Sequence, residues 1–375
     1  MNRKECFTNI LISNKLGKDC QLIIIGYSEP FMTYLYSRPS MSNYVPTHYR
    51  THTLGEIQTN GADLVDTVVT VAGFMEANRG KGAICFVDLR DGTGKTQIFL
   101  KADNIGEEAL DMVQRMTRES TLQFTGKVSE KRPPKLKEGE TAPPPAYEVI
   151  AESVVVIAKA EAPLPLGVTD TVHVELDTRL DNRFLDLRRA HIAAMFRLRG
   201  KVLQYGREAL INEGFFETHT PKIVATATEG GTDLFPMQYF DTPAVLNQSP
   251  QLFKQLCMSG GLERVFEIGP AFRAEKHDTY RHLNEFISFD IECSWATDDD
   301  VMGVLERMIH HMWQSIANDE ESKSYIATIN EYRASKGEEA IEVLVPELPF
   351  PRVSYCDAIR IIKEKGGQIE WGDDI

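Results

Sequence analysis

The chain has 375 residues, enough for two domains with some extra chain. Its 42% hydrophobic and 26% charged residues exclude a disordered, collagenous or fibrous protein. With 41 Lys and Arg against 55 Asp and Glu, a net charge of −14, it is not a generic DNA-coating protein, though a local basic groove or a specific RNA contact stays open.

Residues 1–48 read as an N-terminal extension. The first 40 carry a short apolar patch, Leu22–Gly26, and no sustained period, and Met41 then opens a polar lead-in, MSNYVPTHYRTHTLGEI. Two origins are open for them: an upstream mis-start, with the biological start at Met41, or a genuine appendage that packs as a small strand or helix. The start lacks the apolar core and small-residue cleavage site of a signal peptide.

Residues 49–158 carry five strand-like runs: TVVTVAGFM, AICFVDLRD, KTQIFLKA, LQFTGKVSE and YEVIAESVVVIAKA. Asp91-Gly92 and Thr93-Gly94 supply a turn between the second and third, and the helical stretch IGEEALDMVQRM falls between the third and fourth. This order suggests a closed antiparallel barrel of OB type, a fold that commonly binds single-stranded nucleic acid. The proline- and charge-rich 131–145 reads as a loop before the last strand, and 159–188 as the linker to a second domain at 189–375.

That domain opens with a helix over 190–213, with Ile192, Met195, Phe196, Val202, Leu203, Ala209 and Leu210 predicted on one buried face. FFETHTP then runs extended into Pro221, which suits an edge or interface strand. A second amphipathic helix is predicted at 301–316, where Val301, Val304, Leu305, Met308, Met312 and Ile316 share a face, within a stretch (296–350) of 12 acidic and 4 basic residues that reads as a solvated helical region.

The chemistry concentrates in 263–292, which reads as strand, loop, strand. Arg273 and Glu275, two apart, are expected on one side of the sheet. Phe286, Ser288, Asp290 and Glu292 would share one working face, with Ile287, Phe289 and Ile291 buried on the other. Between the arms Lys276, His277, Arg281 and His282 suit phosphate oxygens. The pattern by itself also fits a surface hairpin with ordinary salt bridges. Two further segments weigh against that: TEGGTDLF, with Glu229 in a glycine-containing loop, and NQSPQLFKQ, with Gln251 and Lys254 three apart at a helix start. Neither a P-loop nor a dinucleotide-binding glycine motif occurs.

In these segments, together with RTHTLGE, ICFVDLRDGTGKTQIF, LDTRLDNRFLDLRR, GFFETHTPKI and FRAEKHDTYRHLNEF, the chain resembles the aspartyl-tRNA synthetases of archaeal and eukaryotic-like type, within class II. The resemblance runs from about Tyr49 to the last residue. It implies a fold of class β plus α+β: an OB-type anticodon-binding barrel, then an antiparallel-sheet class II catalytic domain, incomplete at its C-terminus. It implies a ligase that activates L-aspartate with ATP and Mg2+ and transfers it to tRNA.

Residue by residue, Arg273 matches the arginine that bridges the α-phosphate and the amino acid carboxylate, and Glu275 the acid at the adenine end. Arg281 and His282 lie in the loop at the ATP phosphates, and Phe286 matches the ring that stacks on adenine. Glu229 and Gln251 match residues that hold the α-amino group. Lys254 matches the cation for the substrate side-chain carboxylate, positioned by Asp290. Phe86 and Gln97 match residues that stack on and hydrogen-bond anticodon bases, and Pro221 the proline of a homodimer interface.

The expected partners are tRNA(Asp), with tRNA(Asn) also open, and a second copy of the chain. The sequence ends at IEWGDDI, before the point where the resembled family carries its metal-binding acids and its glycine-rich third motif. The metal ligands are therefore unknown, a truncated synthetase is the favoured account, and residues 1–375 alone are expected to be a poor catalyst. An inactive synthetase-like protein that binds tRNA or a partner subunit is the alternative. The six cysteines, none spaced C-x-x-C, suit free thiols in a reducing compartment, and no apolar run is long enough to cross a bilayer, so a cytoplasmic location is expected.

Overall fold

A computed structural model describes residues 46–133, 144–169, 172–228, 233–276 and 283–373. Most of the N-terminal extension and of the 131–145 loop lies outside the described residues, as do Glu229, His277, Arg281 and His282. The chain divides into two compact units between Leu164 and Pro165.

In the first unit, strands β1 (Val68–Lys81), β2 (Ile84–Arg90), β3 (Lys95–Lys101), β4 (Thr121–Glu130) and β5 (Tyr147–Ala158) close a barrel in the order β1-β2-β3-β5-β4. The expected OB-type barrel is therefore present. Its neighbouring strands are antiparallel except β3 and β5, which run parallel with Gln97 opposite Glu148. The two-residue period turns Cys85, Val87 and Leu89 of β2, and Ile98 and Leu100 of β3, into the core. Helix Leu54–Thr59 adds Leu54 and Ile57 to that core, and helix Glu107–Gln114 adds Leu110 and Val113. The expected turn at 91–94 is organised by the Asp91 carboxylate. It accepts from the backbone N–H groups of Thr93 at 2.7 Å and Gly94 at 3.1 Å, and from that of Leu54 at 3.0 Å, so one side chain ties turn to helix.

In the second unit, the strands are β6 (Phe216–Glu217), β7 (Ile223–Val224), β8 (Pro236–Tyr239), β9 (Thr242–Leu246), β10 (Arg264–Phe272) and β11 (Glu285–Cys293). They form two three-stranded sheets, β11-β10-β6 and β7-β9-β8. β10 and β11 are antiparallel, and β6, from the FFETHTP run, is the edge strand, parallel to β10. Helices Ala190–Asn212 and Asp298–Asn318 cover one face of the first sheet. Ala209, Leu210, Val304 and Met308 pack there with Phe266, Ile268, Phe289 and Ile291. The approach is close at Gly206, where a Cβ would lie 2.5 Å from the Phe289 ring.

The structure corrects several helical expectations. Met195 and Phe196, expected on the buried face, are 50% and 40% exposed, because the helix meets the sheet through Gly206, Ala209 and Leu210 near its C-terminal end. The Arg183 guanidinium lies over the Phe196 ring, 5.2 Å from its centre. Leu305 is likewise exposed. The acidic stretch is not wholly solvated, since Glu306 is buried, ion-paired with Arg352 and hydrogen-bonded to the Phe350 N–H at 3.1 Å. Helix Glu320–Ser335 lies in the stretch read as helical, and helix Tyr355–Glu364 in a segment where the sequence predicted no particular element.

The stretch 165–188 carries two short helices, Leu176–Asp181 and Arg183–Asp186. They meet at the buried Asp186 carboxylate, which accepts from Arg179 Nε at 2.9 Å and from the Arg183 guanidinium at 2.7 Å. Burial alone would raise the Asp186 carboxyl, but these arginines outweigh it and hold it below the ordinary range. No helix among the described residues is long and apolar enough to cross a membrane.

Candidate functional site

The β10–β11 ladder pairs Phe266 with Ile291 and Ile268 with Phe289 on the face packed against helices. The opposite face therefore carries Val265, Glu267, Gly269 and Ala271 on β10, facing Glu292, Asp290, Ser288 and Phe286 on β11. This is the division of β11 that the sequence predicted, except that Ile287, expected to be buried, is 38% exposed because the helices cover the strand only from Phe289 onward. Charged groups gather at one end and the Phe286 ring stands at the other. Gly269, Ala271 and Ser288 lie between them, a floor of small side chains.

Helix Gln251–Ser259 delivers two side chains to the charged end. Lys254, only 1% exposed, donates to Asp290 Oδ1 at 3.2 Å and to the Ile291 carbonyl at 3.3 Å, with Glu292 Oε2 at 3.8 Å. A buried ammonium needs such partners, because desolvation without them costs several kcal/mol. Gln251 Nε2 donates to Glu292 Oε2 at 3.0 Å. The expected companions Gln251, Lys254 and Asp290 are thus brought together. Glu292, predicted on this face but given no role, joins them to one another.

The helix start is fixed by Asn247. Its side-chain oxygen accepts from Ser249 N–H and from Thr228 Oγ1, both at 2.8 Å, and its Nδ2 donates to the Pro221 carbonyl at 3.1 Å. The Asn247 carbonyl accepts from Phe272 N–H at 3.0 Å. Through its side chain and its carbonyl, Asn247 therefore ties Pro221, Thr228 and the end of β10 to the helix start. Pro221 itself is exposed, between β6 and β7.

At the other end the Arg273 guanidinium lies 5.5 Å from the centre of the Phe286 ring. β10 ends at Phe272, so Arg273 and Glu275 lie in the segment that follows the strand rather than in the sheet itself. Arg273 N–H still bonds the Asn284 carbonyl at 3.0 Å, and Ala274 N–H bonds the Asp233 carbonyl at 3.0 Å, which ties Asp233 to this end. Glu275 is half-buried there, and Lys276 reaches Asp233 at 3.6 Å. At the opposite end of β11, where Cys293 pairs with Arg264, burial pushes the Cys293 thiol up, away from thiolate chemistry. Among the described residues no group of three or more His, Cys, Asp or Glu is placed to hold a metal ion.

A second candidate surface lies on the outside of the barrel. Phe86 stands opposite Phe99 across β2 and β3, with ring centres 5.1 Å apart. Gln97 shares that outward face, and its amide is held at both ends, donating to Glu148 Oε2 and accepting from Lys131 Nζ, each at 2.8 Å. Phe99 was not singled out from sequence, although its two-residue spacing from Gln97 places it there.

Residues 175–371 match the family model of tRNA synthetases class II (D, K and N), and residues 69–157 that of the OB-fold nucleic acid binding domain. An aspartate–tRNA(Asp/Asn) ligase of Archaeoglobus fulgidus is 46% identical over 307 residues, 82% of this chain and 66% of that protein. The ligase of the same name in Methanosarcina barkeri is 45% identical over 330 residues, 88% of this chain and 68% of that protein. Among solved structures, asparaginyl-tRNA synthetase from Pyrococcus horikoshii complexed with asparaginyl-adenylate superposes with a TM-score of 0.69 at 31% identity, covering 83% of this chain and 67% of that one. The chain thus spans about two thirds of the length of the relatives it matches.

Proposed function

Because the chain belongs to the aspartyl-tRNA synthetases, in the class II group for D, K and N, we propose that it serves the aspartate–tRNA ligase reaction. L-Aspartate is activated with ATP to aspartyl-adenylate and passed to the 3′ end of tRNA(Asp), with tRNA(Asn) a second candidate acceptor. The observation that carries this reading is the buried Lys254 on the working face, held by Asp290 and the Ile291 carbonyl. An ammonium has three donors. Two are engaged by these oxygens, and the third, which has Glu292 Oε2 no nearer than 3.8 Å, is assigned to the side-chain carboxylate of the substrate. An amide in that place would leave the buried charge poorly paired, which is how the site would reject asparagine.

The remaining roles are those the family resemblance implies. Gln251, oriented by Glu292, would hold the α-amino group, with Glu229 its expected companion. Phe286 would stack on adenine, with Glu275 at the same end. Arg273 would meet the α-phosphate and stabilise charge developing there as the substrate α-carboxylate attacks and pyrophosphate leaves. The nucleophile is already ionised, so no general base is required. Arg281 and His282 are proposed at the ATP phosphates. When bound, Mg2+ would neutralise phosphate charge. The described residues offer it no acid cluster, so no step is assigned through it. Phe86 and Gln97 are proposed to read anticodon bases, and the exposed Pro221 to lie in a homodimer interface.

The test is aspartate-dependent pyrophosphate–ATP exchange and tRNA retention measured on one sample. Exchange driven by L-aspartate and not L-asparagine supports the ligase. Specific tRNA retention with neither exchange nor aspartate binding would favour a synthetase-like tRNA-binding protein.

A further inference from the structure

The proposed reaction leaves one buried ion pair of the working face unused. Glu267, 2% exposed, is the acid of β10. Its Oε2 accepts from Thr220 Oγ1 at 2.7 Å and Thr220 N–H at 3.3 Å, and its Oε1 accepts from Lys222 Nζ at 2.5 Å. Directly across the ladder stands Asp290. Like charges opposite one another on one sheet face are destabilising. Here each carboxylate has its own lysine: Lys222 for Glu267 and Lys254 for Asp290. The Glu267 carboxylate leans along the face over Gly269, where a Cβ would come within 2.7 Å of Oε1.

We infer that Lys222 and Glu267 are positioning residues that set the specificity of Lys254. Lys222 neutralises Glu267, and so keeps Asp290 free to hold Lys254 with one donor turned to the substrate. Without that cation, Glu267 becomes a buried, uncompensated carboxylate opposite Asp290, which repels Asp290 and competes for the Lys254 ammonium. The inference rests on the reading of Lys254 as the aspartate-binding group.

The test compares Lys222→Met, Glu267→Gln and the double variant in the full 375-residue chain. Each is titrated by calorimetry with L-aspartate and, separately, with ATP. Lys222→Met is expected to weaken aspartate binding on the order of tenfold, the usual weight of a residue that orients a ligand group, with ATP affinity unchanged. The double variant, which removes both charges, is expected to return to within about twofold of the parent chain. A merely structural role would move both affinities together and gain nothing from the second substitution. Unchanged aspartate affinity in Lys222→Met, or a double variant as weak as the single, overturns the inference. Lys222→Gln, which keeps a donor for Glu267 while removing the charge, takes the place of Lys222→Met where the latter does not fold.

A crystal structure of the Lys222→Met variant gives a second readout that needs no ligand. Displacement of Lys254 from Asp290 is expected, and an intact 3.2 Å contact overturns the positioning role. Should the parent chain bind no aspartate, the functional reading fails, while the crystallographic comparison still decides what Lys222 does.

Discussion

Lys254 on helix Gln251–Ser259 donates to Asp290 on β11 at 3.2 Å, a contact that joins two segments 36 residues apart within a buried, polar corner of the sheet. The same helix sends Gln251 to Glu292, so two parallel links, a cation to an acid and an amide to an acid, fix it against the strand. Lys254→Met is predicted to leave ATP binding intact while weakening aspartate by about a hundredfold or more, because the substrate carboxylate then meets no charge. Calorimetric titration of the variant with each ligand checks this, and an unchanged aspartate affinity would remove Lys254 from the site.

On the barrel, Phe86→Ala and Gln97→Ala are predicted to weaken tRNA binding and leave aspartate and ATP affinities alone. Loss of a stacking ring should cost about 1–3 kcal/mol per base. Filter binding with anticodon-altered tRNA separates recognition from structure: the effects of mutation and anticodon change should not add. Simple additivity would give both residues a structural role.

Asp186 lies buried between Arg179 and Arg183. Asp186→Leu is predicted to destabilise the second unit by about 3 kcal/mol or more, since two arginines lose their common partner in a buried site. Urea unfolding followed by tryptophan fluorescence would register it. A shift below about 0.5 kcal/mol, the level of an ordinary surface change, would contradict this account.

His191 stacks on Tyr332 with ring centres 3.5 Å apart and planes 6° from parallel. Burial, with Arg189 and Arg179 nearby, lowers it from 6.5 to about 4. The folded state therefore binds fewer protons than the unfolded one across that interval. Its stability is complete above pH 6.5 and declines as pH falls towards 4. After allowance for solvent screening of a half-buried ring, the contribution is roughly 1–2 kcal/mol. His191→Phe keeps a ring against Tyr332 and cannot titrate. Its urea midpoint is expected to change less between pH 7.5 and pH 5 than that of the parent chain, and equal slopes would refute the assignment.

Much of this architecture is legible in the sequence, because short period-two runs such as ICFVDLR and KTQIFLK leave little choice of face, and Asp91 with two glycines announces its turn. The parity of 286–292 correctly separates the apolar from the polar face of β11. What the sequence does not show depends on partners distant along the chain. Glu306 reads as a solvated acid until Arg352 is brought to it, and Glu267 is not singled out in the sequence before Thr220 and Lys222 are seen to meet it. Helix Glu320–Ser335 buries only Ser322 and Ile329, too few apolar positions to make a recognisable stripe. Met195 and Phe196 fit the spacing of a buried face, but spacing cannot tell which turns of a 23-residue helix the sheet covers.

The central claim is that one corner of the β10–β11 face recognises the aspartate side chain. The most direct measurement is calorimetric titration of the chain with non-hydrolysable aspartyl-adenylate and asparaginyl-adenylate analogues, which differ at that side chain alone. The account predicts that the aspartyl analogue binds more tightly by on the order of a hundredfold, the value of pairing a buried charge against leaving it to an amide. Equal affinities, or a preference for the asparaginyl analogue, would contradict it.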